Sequence, residues 1–303
     1  MLVYGNINID ITLYVKELPR PGSETLASRI LKSGGGSAAN TAVALSRLGV
    51  PARIIGCVGT DTEGEDALED LRSEGVDTTH VKRTSAPTGR VYVMVDAHGE
   101  RTMIAFRGAN NLLAPSSVDA DAVMRALWVH VSGGKRDVGL AILKLASKAG
   151  IPTSYDPGRA AYGAPEDELA PLLGRVDVLL VNELELNALQ SRNLPLPGLV
   201  VVKRGAKGSE VLVDGDVISA PAFKVRVTDT TGAGDAFNAG FIAGLSYGLS
   251  LYETLVFANA VAAIKVTREG ARSSPILKEV IRFLRRGGYH DLAERILSIG
   301  APD

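Results

Sequence analysis

The chain has 303 residues, 46% of them apolar and 22% charged, with a formal net charge of −1. That composition suits one large soluble α/β unit with an ample core. The near-neutral balance excludes the basic field that nucleic acid or an anionic membrane surface calls for. A single cysteine, Cys57, excludes an internal disulfide and fits a reducing, cytoplasmic setting.

The chain opens on "LVYGNI", which reads as a strand, and Asp10 follows early with no basic run before it, so no leader peptide is expected. No apolar run reaches the roughly 18 residues that span a bilayer. "GNINID" puts Asn8 and Asp10 at i and i+2, on one side of an extended chain. At the C-terminal edge of a strand, where open α/β sheets bind ligands, the pair suits two adjacent hydroxyls. It equally suits ordinary turn chemistry. "ETLASRILKS" reads as extended and half-polar. A glycine run then leads into a helix over Ser37–Leu48, whose first turn carries Ser37, Asn40 and Thr41, groups suited to a polyol.

"RIIGCVG" is a buried strand and Thr62–Ser73 a helix. "GRVYVMVDAHGERTMIAFRG" alternates on both sides of His98-Gly99, a hairpin signal. With "ETLASRILKS" it is expected to form a small antiparallel sheet over one end of the main one. Residues 11–33 and 88–108, approximately, would be this lid within a single domain of residues 1–303. Half-exposed apolar faces on such a flap pair readily with a second copy, so a homodimer through the lid is expected.

Strands "ALWVHVSG", "PTSYDPG", "DVLLVN" and "LVVVKRG" alternate with helices Asp137–Ala149 and Glu183–Ser191. This βαβα order implies a mostly parallel sheet covered on both faces, a three-layer α/β/α architecture. Beyond residue 230 the pattern is helical: Gly234–Tyr247, Tyr252–Thr267, Ile276–Arg285 and His290–Ser298.

The most informative stretch is "DTTGAGDAFNAGF", Asp229 to Phe241. A glycine turn at a helix start exposes backbone N–H groups, and the helix dipole favours negative charge there. Thr230, Thr231, Gly232, Ala233 and Gly234 would surround a terminal phosphate. Asp235, in the first helical turn, would be repelled by that phosphate if it served as another ligand. It makes sense as a base taking the proton of an attacking hydroxyl. Taken alone, such a motif more often marks a capped helix with tightly packed glycines.

Basic residues point to an anionic substrate. Lys135 and Arg136 follow a strand on the same edge, and Arg90 and Arg107 bracket the lid hairpin. A phosphorylated sugar would use such groups; all four also read as solvated surface. "YDPGRAAYG", with Asp156 and Arg159, is a further turn on that edge.

At this point the chain resembles the ribokinase-like (pfkB) family of sugar and nucleoside kinases, in motifs that agree in order over nearly its whole length. "GNINID" resembles the opening strand, and "GGGSAANTAVALSRLG" with "IGCVGTDTEGE" the first signature. "DTTGAGDAFNAGF" resembles the second signature, "VNELE" the Asn-x-x-Glu element, "VVKRGAKGS" the strand and glycine turn facing the nucleotide, and "VTREGARSSP" the nucleotide-side tail. The resemblance implies transfer of the γ-phosphate of ATP to a sugar-type hydroxyl, with Asp235 as base and Gly232, Ala233 and Gly234 as anion hole. It implies Asn182 and Glu185 as organisers of Mg²⁺ through water, and Lys203, Gly205, Gly208, Thr231 and Asn259 on the nucleotide side. It implies Asp229 and the 267–274 stretch as the holder of a monovalent cation such as K⁺, and Asn8, Asp10, Gly35, Gly36 and Asn40 as acceptor positions. Ser37 stands where ribokinase proper has lysine, which weighs against plain ribose, and Lys203 where many members have threonine. A nucleoside kinase or a 6-phosphofructokinase-type enzyme of the same family is the alternative acceptor class.

Two other classes compete. Gly34 to Ala39 satisfies a loose G-x-G-x-x-A pattern with Asp61 beyond it, as in dinucleotide oxidoreductases. The segment before it is not a buried strand, Asp61 falls late, and "TTGAGD" would go unexplained. A non-catalytic sugar or nucleotide binder has no need of Asp235. The four histidines, His80, His98, His130 and His290, show no metal-ligand spacing.

Overall fold

The computed structural model describes residues 1–300. In chain order the elements begin with β1 (Leu2–Gly5), β2 (Asn8–Val15), β3 (Ala27–Gly35), α1 (Ser37–Arg47), β4 (Arg53–Gly59) and α2 (Thr62–Ser73). Next come β5 (Val81–Thr84), β6 (Gly89–Val95), β7 (Arg101–Phe106), α3 (Ala120–Met124), β8 (Val129–Ser132), α4 (Arg136–Lys148) and β9 (Thr153–Asp156). The middle holds α5 (Ala160–Gly163), α6 (Glu166–Leu173), β10 (Val178–Asn182), α7 (Glu183–Ser191), β11 (Leu199–Lys203), β12 (Ser209–Val213) and β13 (Asp216–Ala220). Four helices close the chain: α8 (Ala233–Ser246), α9 (Leu251–Val266), α10 (Leu277–Arg286) and α11 (His290–Gly300).

Nine strands form one sheet in the order β13-β12-β11-β10-β9-β8-β1-β4-β5. It is parallel from β11 to β5 and antiparallel only at β12 and β13. Successive strand side chains point to opposite faces, and the core divides accordingly. Val3, Ile54, Leu180 and Val201 pack under α1, α8 and α9, whereas Leu2, Ile55, Leu179 and Val202 pack under α4, α6 and α7. Because both faces are covered, these strands read as unbroken apolar runs in the sequence. The three-layer α/β/α fold is therefore the one expected.

The second sheet has the order β3-β2-β6-β7. Its outer pairs are antiparallel, and β2 and β6 pair in parallel at its centre. It fits the expected lid. The chain passes from β1 into β2 across Asn6 and Ile7 alone, so Asn8 and Asp10 begin a lid strand. The expected place for them, at the end of the first core strand, is corrected by that short crossing. Asn8 pairs with Gly35 and with Gly89, and Asp10 with Ser33 and Val91.

Candidate active site

The mouth of α8 opens at the C-terminal edge of the large sheet. Gly232 caps the helix in the left-handed region at φ 75°. A Cβ there would stand 2.3 Å from the Ala271 carbonyl oxygen, so only glycine fits. The Ala233 N–H donates to Thr230 O at 3.1 Å. The N–H groups of Gly232, Gly234 and Asp235 have no acceptor among the described residues. They form the start of a helix with its positive dipole end open. A Cβ on Gly234 would meet nothing nearer than Lys203 Nζ at 3.6 Å, so the cradle has room.

Asp235 stands in the first turn and is half-buried. Asn40 of α1 donates to its Oδ2 at 2.8 Å. Burial raises its pKa to about 6; the Asn40 bond opposes this, Asp156 adds to it, and Lys203 opposes it again. Asn40 is itself held. Arg272 donates from Nε to Asn40 Oδ1 at 3.3 Å and from Nη2 to Gly35 O at 2.7 Å, and it also pairs with Asp70. Arg272 thus ties the C-terminal loop, the lid strand β3 and the helix that positions Asp235.

Behind the cradle lies a buried charge cluster. Lys203 Nζ donates to Asp156 Oδ2 at 2.8 Å and to Asn238 Oδ1 at 3.1 Å, and Asn238 Nδ2 donates to Asp156 Oδ2 at 2.6 Å. Burial works against the Asp156 carboxylate, but the Lys203 ammonium outweighs it and the net shift is downward. Burial likewise opposes the Lys203 charge, and Asp156 and Glu185 outweigh it, so Lys203 is held charged. Glu185 is raised by burial first and by Asp156 next. Its Oε2 accepts the Asn182 N–H at 2.9 Å, and Asn182 Oδ1 accepts the Glu185 N–H at 2.8 Å, a reciprocal cap that fixes both at the start of α7. Lys203 Nζ therefore lies under the cradle, 3.6 Å from where a Cβ on Gly234 would stand, and Gly205 and Gly208 follow in the turn between β11 and β12. Asn259 of α9 is buried, and its Nδ2 donates to Ala220 O and Pro221 O, both at 3.2 Å.

On the lid side, Asp10 packs so closely on Gly35 that a Cβ there would fall 2.1 Å from its Oδ1. That Oδ1 is buried with no hydrogen-bond partner among the described residues. Burial raises the Asp10 pKa to about 6, with Arg272 opposing. Asn8 Oδ1 accepts from Asn110 Nδ2 at 2.9 Å, and the same Nδ2 reaches Arg107 O at 3.1 Å. Gly36, at φ 94°, lies against Asn6 O.

Two cavities flank these residues. One of about 390 Å³ lies between the inner lid face and the cradle, lined among others by Asp10, Arg101, Thr230, Thr231 and Ala271. The other, of about 570 Å³, lies beyond the ends of β1 and β8 and brings together Asn6, Arg107, Asn111, Lys135, Arg136 and Glu168. Lys135 pairs with Asp137 at 3.2 Å, Arg136 pairs with Glu168, and the exposed Arg107 side chain has no partner among the described residues. Arg90 does not join them. It is paired with Glu63, with Asp61 at 3.8 Å, at the start of α2.

Several participants were not singled out from the sequence: Asn110, Asn238, Arg272 and Arg101. Arg101, at the start of β7, bonds the Thr230 and Thr231 hydroxyls and lies 3.4 Å from Asp229 Oδ1. Across the same cleft, Arg29 grips Glu269 with two bonds of 2.9 Å and Tyr14 Oη donates to it at 2.6 Å. The lid is therefore latched to both loops that precede and face the cradle. Asn238 alone left a trace, one turn after Asp235 in "GDAFN".

A parallel-sheet fold with open amides at a helix mouth, a carboxylate beside them and a latched lid describes an enzyme that passes a phosphoryl group to an alcohol. The model of the pfkB family carbohydrate kinases matches residues 1–278. An ATP-dependent ribose-1-phosphate kinase of Halopiger xanaduensis is 38% identical over 94% of this chain and 97% of its own. A nucleoside kinase of Methanothermobacter thermautotrophicus is 31% identical over 95% and 97%. Among solved structures, an Arabidopsis thaliana ribokinase complexed with ribose and ATP superposes with a TM-score of 0.84 at 30% identity, covering 94% of this chain and 98% of that one. The chain belongs to the pfkB family of carbohydrate kinases, and it is an ATP-dependent phosphotransferase with an alcohol group as acceptor.

Proposed function

We propose that this kinase phosphorylates the primary hydroxyl of a pentose that already carries a phosphate, with ribose 1-phosphate as the leading candidate. The observation that carries this reading is the convergence of Arg107, Lys135 and Arg136 on one cavity of about 570 Å³. The 38% identity to a ribose-1-phosphate kinase supports it. Arg107, free of any acid among the described residues, is the group best placed to take a phosphate.

In this reading the whole chain works as one domain, with segments about 11–33 and 88–108 as its lid. Asn8, Asp10, Gly35, Gly36 and Asn40 hold the acceptor, and the unpartnered Asp10 Oδ1 takes a hydroxyl proton in a hydrogen bond. Asp235 removes the proton of the attacking hydroxyl. Asn40 aims that carboxylate, and a pKa near 6 leaves it ionised yet basic at neutral pH. The amides of Gly232, Gly234 and Asp235 neutralise the phosphoryl oxygens as charge builds. Lys203, fixed by Asp156 and Asn238, adds positive charge beneath them. Bound with ATP, Mg²⁺ supplies further charge neutralisation. Asn182 and Glu185 would hold it through water, and Glu185 Oε1 makes no hydrogen bond among the described residues. Thr231, Gly205, Gly208 and Asn259 border the nucleotide. The latched lid excludes water and limits hydrolysis. Ile30, Ile104 and Phe106 are exposed on the outer lid face and would pair two copies, which light scattering would read as a dimer.

The test is a coupled assay with ATP and Mg²⁺ over ribose 1-phosphate, fructose 6-phosphate, ribose and a nucleoside. A phosphosugar should give the highest kcat/KM. Arg107→Ala and Lys135→Ala should each raise its KM about tenfold with little change in kcat. A neutral sugar or nucleoside as the best acceptor, or an unchanged KM in both variants, rejects the phosphosugar reading.

A further inference from the structure

Asp229 and the loop over 267–274 are where the family resemblance implies a monovalent cation, and two cationic side chains, Lys265 and Arg101, already stand against Asp229 there. Neighbouring positive charge opposes a bound K⁺, and the nearest oxygens of Asp229 and Val266 already accept hydrogen bonds. Here Asp229 Oδ1 accepts the Thr231 N–H at 2.9 Å and the Thr231 hydroxyl at 2.7 Å, and Oδ2 accepts the Gly270 N–H at 2.9 Å. The Val266 carbonyl is taken by the N–H groups of Thr228 at 2.7 Å and Asp229 at 3.1 Å. The Asp229 carbonyl accepts Lys265 Nζ at 2.8 Å. Arg101 adds a second positive charge, 3.4 Å from the carboxylate.

Lys265 is the unusual member. Its residue is fully buried at 0% exposure, in the last turn of α9, a helix otherwise apolar on nearly every side. Burying an ammonium is costly unless its charge is used. Two features offset that cost: the negative end of the α9 dipole, and the segment Asp229–Thr230–Thr231, which it grips through the Asp229 carbonyl. That segment leads directly into the Gly232 cradle. An alkylammonium carries the same unit charge as a potassium or ammonium ion, with hydrogen-bond donors in place of coordination.

We propose that Lys265 is a built-in replacement for the activating monovalent cation: its ammonium holds the 229–231 segment and supplies the positive charge behind the cradle, so this enzyme needs no K⁺. Lys265 is a positioning residue, acting on the transferred phosphoryl through the loop it holds. The assignment goes beyond the acceptor reading and does not depend on it.

The experiment compares wild type, Lys265→Met and Lys265→Ala in KCl, NH₄Cl and tetramethylammonium chloride at equal ionic strength. Melting temperature and turnover are read, and crystals are soaked in a thallium(I) salt. Wild type should show the same melting temperature and turnover in all three salts, with no thallium at Asp229. Lys265→Met should lose kcat by about ten- to a hundredfold in every salt, since it fills the space without the charge. Lys265→Ala opens room, so its melting temperature and kcat should recover in KCl or NH₄Cl but not in tetramethylammonium, and thallium should appear beside Asp229. Activation of wild type by K⁺, thallium bound at Asp229 in wild type, or full activity of Lys265→Met without K⁺ would each overturn the proposal. Should Lys265→Ala fail to fold, the wild-type arms still decide. The melting and thallium arms need no acceptor, so their failure is separable from a wrong choice of sugar.

Discussion

Replacing Asp235 with asparagine removes the proposed base while keeping its shape and an oxygen for Asn40 to reach. Its carboxyl pKa is pushed from 3.8 up to about 6, chiefly by burial. The folded state therefore binds its proton more tightly than the unfolded state does. Stability from this group is fully present below about pH 4 and is lost as pH rises through 6. At pH 8 the ionised carboxylate costs the fold at most about 3 kcal/mol, less whatever solvent screens at this half-buried site. Asp235→Asn should thus be more stable than wild type at pH 8 by about 1–3 kcal/mol, with the gap closing by pH 4. Its kcat should fall by about 10²–10⁴, with ATP binding retained. Wild-type kcat should rise with pH through an acidic limb near 6, the value for the buried carboxyl. Denaturant titrations at pH 4, 6 and 8, turnover at each pH and ATP calorimetry read these quantities. Turnover near wild type, or a stability gap independent of pH, refutes the argument.

Lys203→Met should leave Asp156 and Glu185 as uncompensated buried acids and cost about 3–5 kcal/mol by chemical denaturation, with a steeper loss as pH rises; an unchanged midpoint would mean the cluster is solvated. Gly232→Ala should force a side chain into the Ala271 carbonyl and abolish phosphoryl transfer, destabilising the fold by more than about 1 kcal/mol; wild-type turnover would show that the cradle tolerates a Cβ. Arg101→Ala should release one lid latch, lowering kcat/KM by about tenfold and raising the ratio of ATP hydrolysis to transfer in a two-product assay; an unchanged ratio would separate the latch from water exclusion.

The parts of the fold legible in the sequence were those with a local physical signature. α2 and α7 begin at the positions read from the sequence because their starts carry caps, Asp61 accepting from the Gly64 N–H and Asn182 pairing with Glu185. The parallel strands were legible because burial on both faces writes an apolar run. β2 was hidden because it follows β1 after two residues, so "LVYGNINID" reads as one strand. The β12–β13 hairpin carries a local signal in Asp214-Gly215, both at positive φ. In the site, Asp235 and its glycines lie together in one segment, and their arrangement followed from it. Arg101, Arg272 and Asn110 reach their partners across more than 100 residues, and no local pattern announces such pairs. Lys265 does carry a local signal, as the one basic residue of an otherwise largely apolar helix.

The two-residue passage from β1 into β2 has a consequence for how substrates are chosen. Asn8 and Asp10 belong to the small sheet, while Asp235 and the amide cradle belong to a helix packed on the large one. On the proposed reading, recognition of the sugar and sealing of the cleft would be one mechanical event, and a poorly fitting alcohol would fail by leaving the door ajar. On that reading, new acceptors would arise by rewriting the small sheet alone, with the floor that holds Asp235 inherited unchanged.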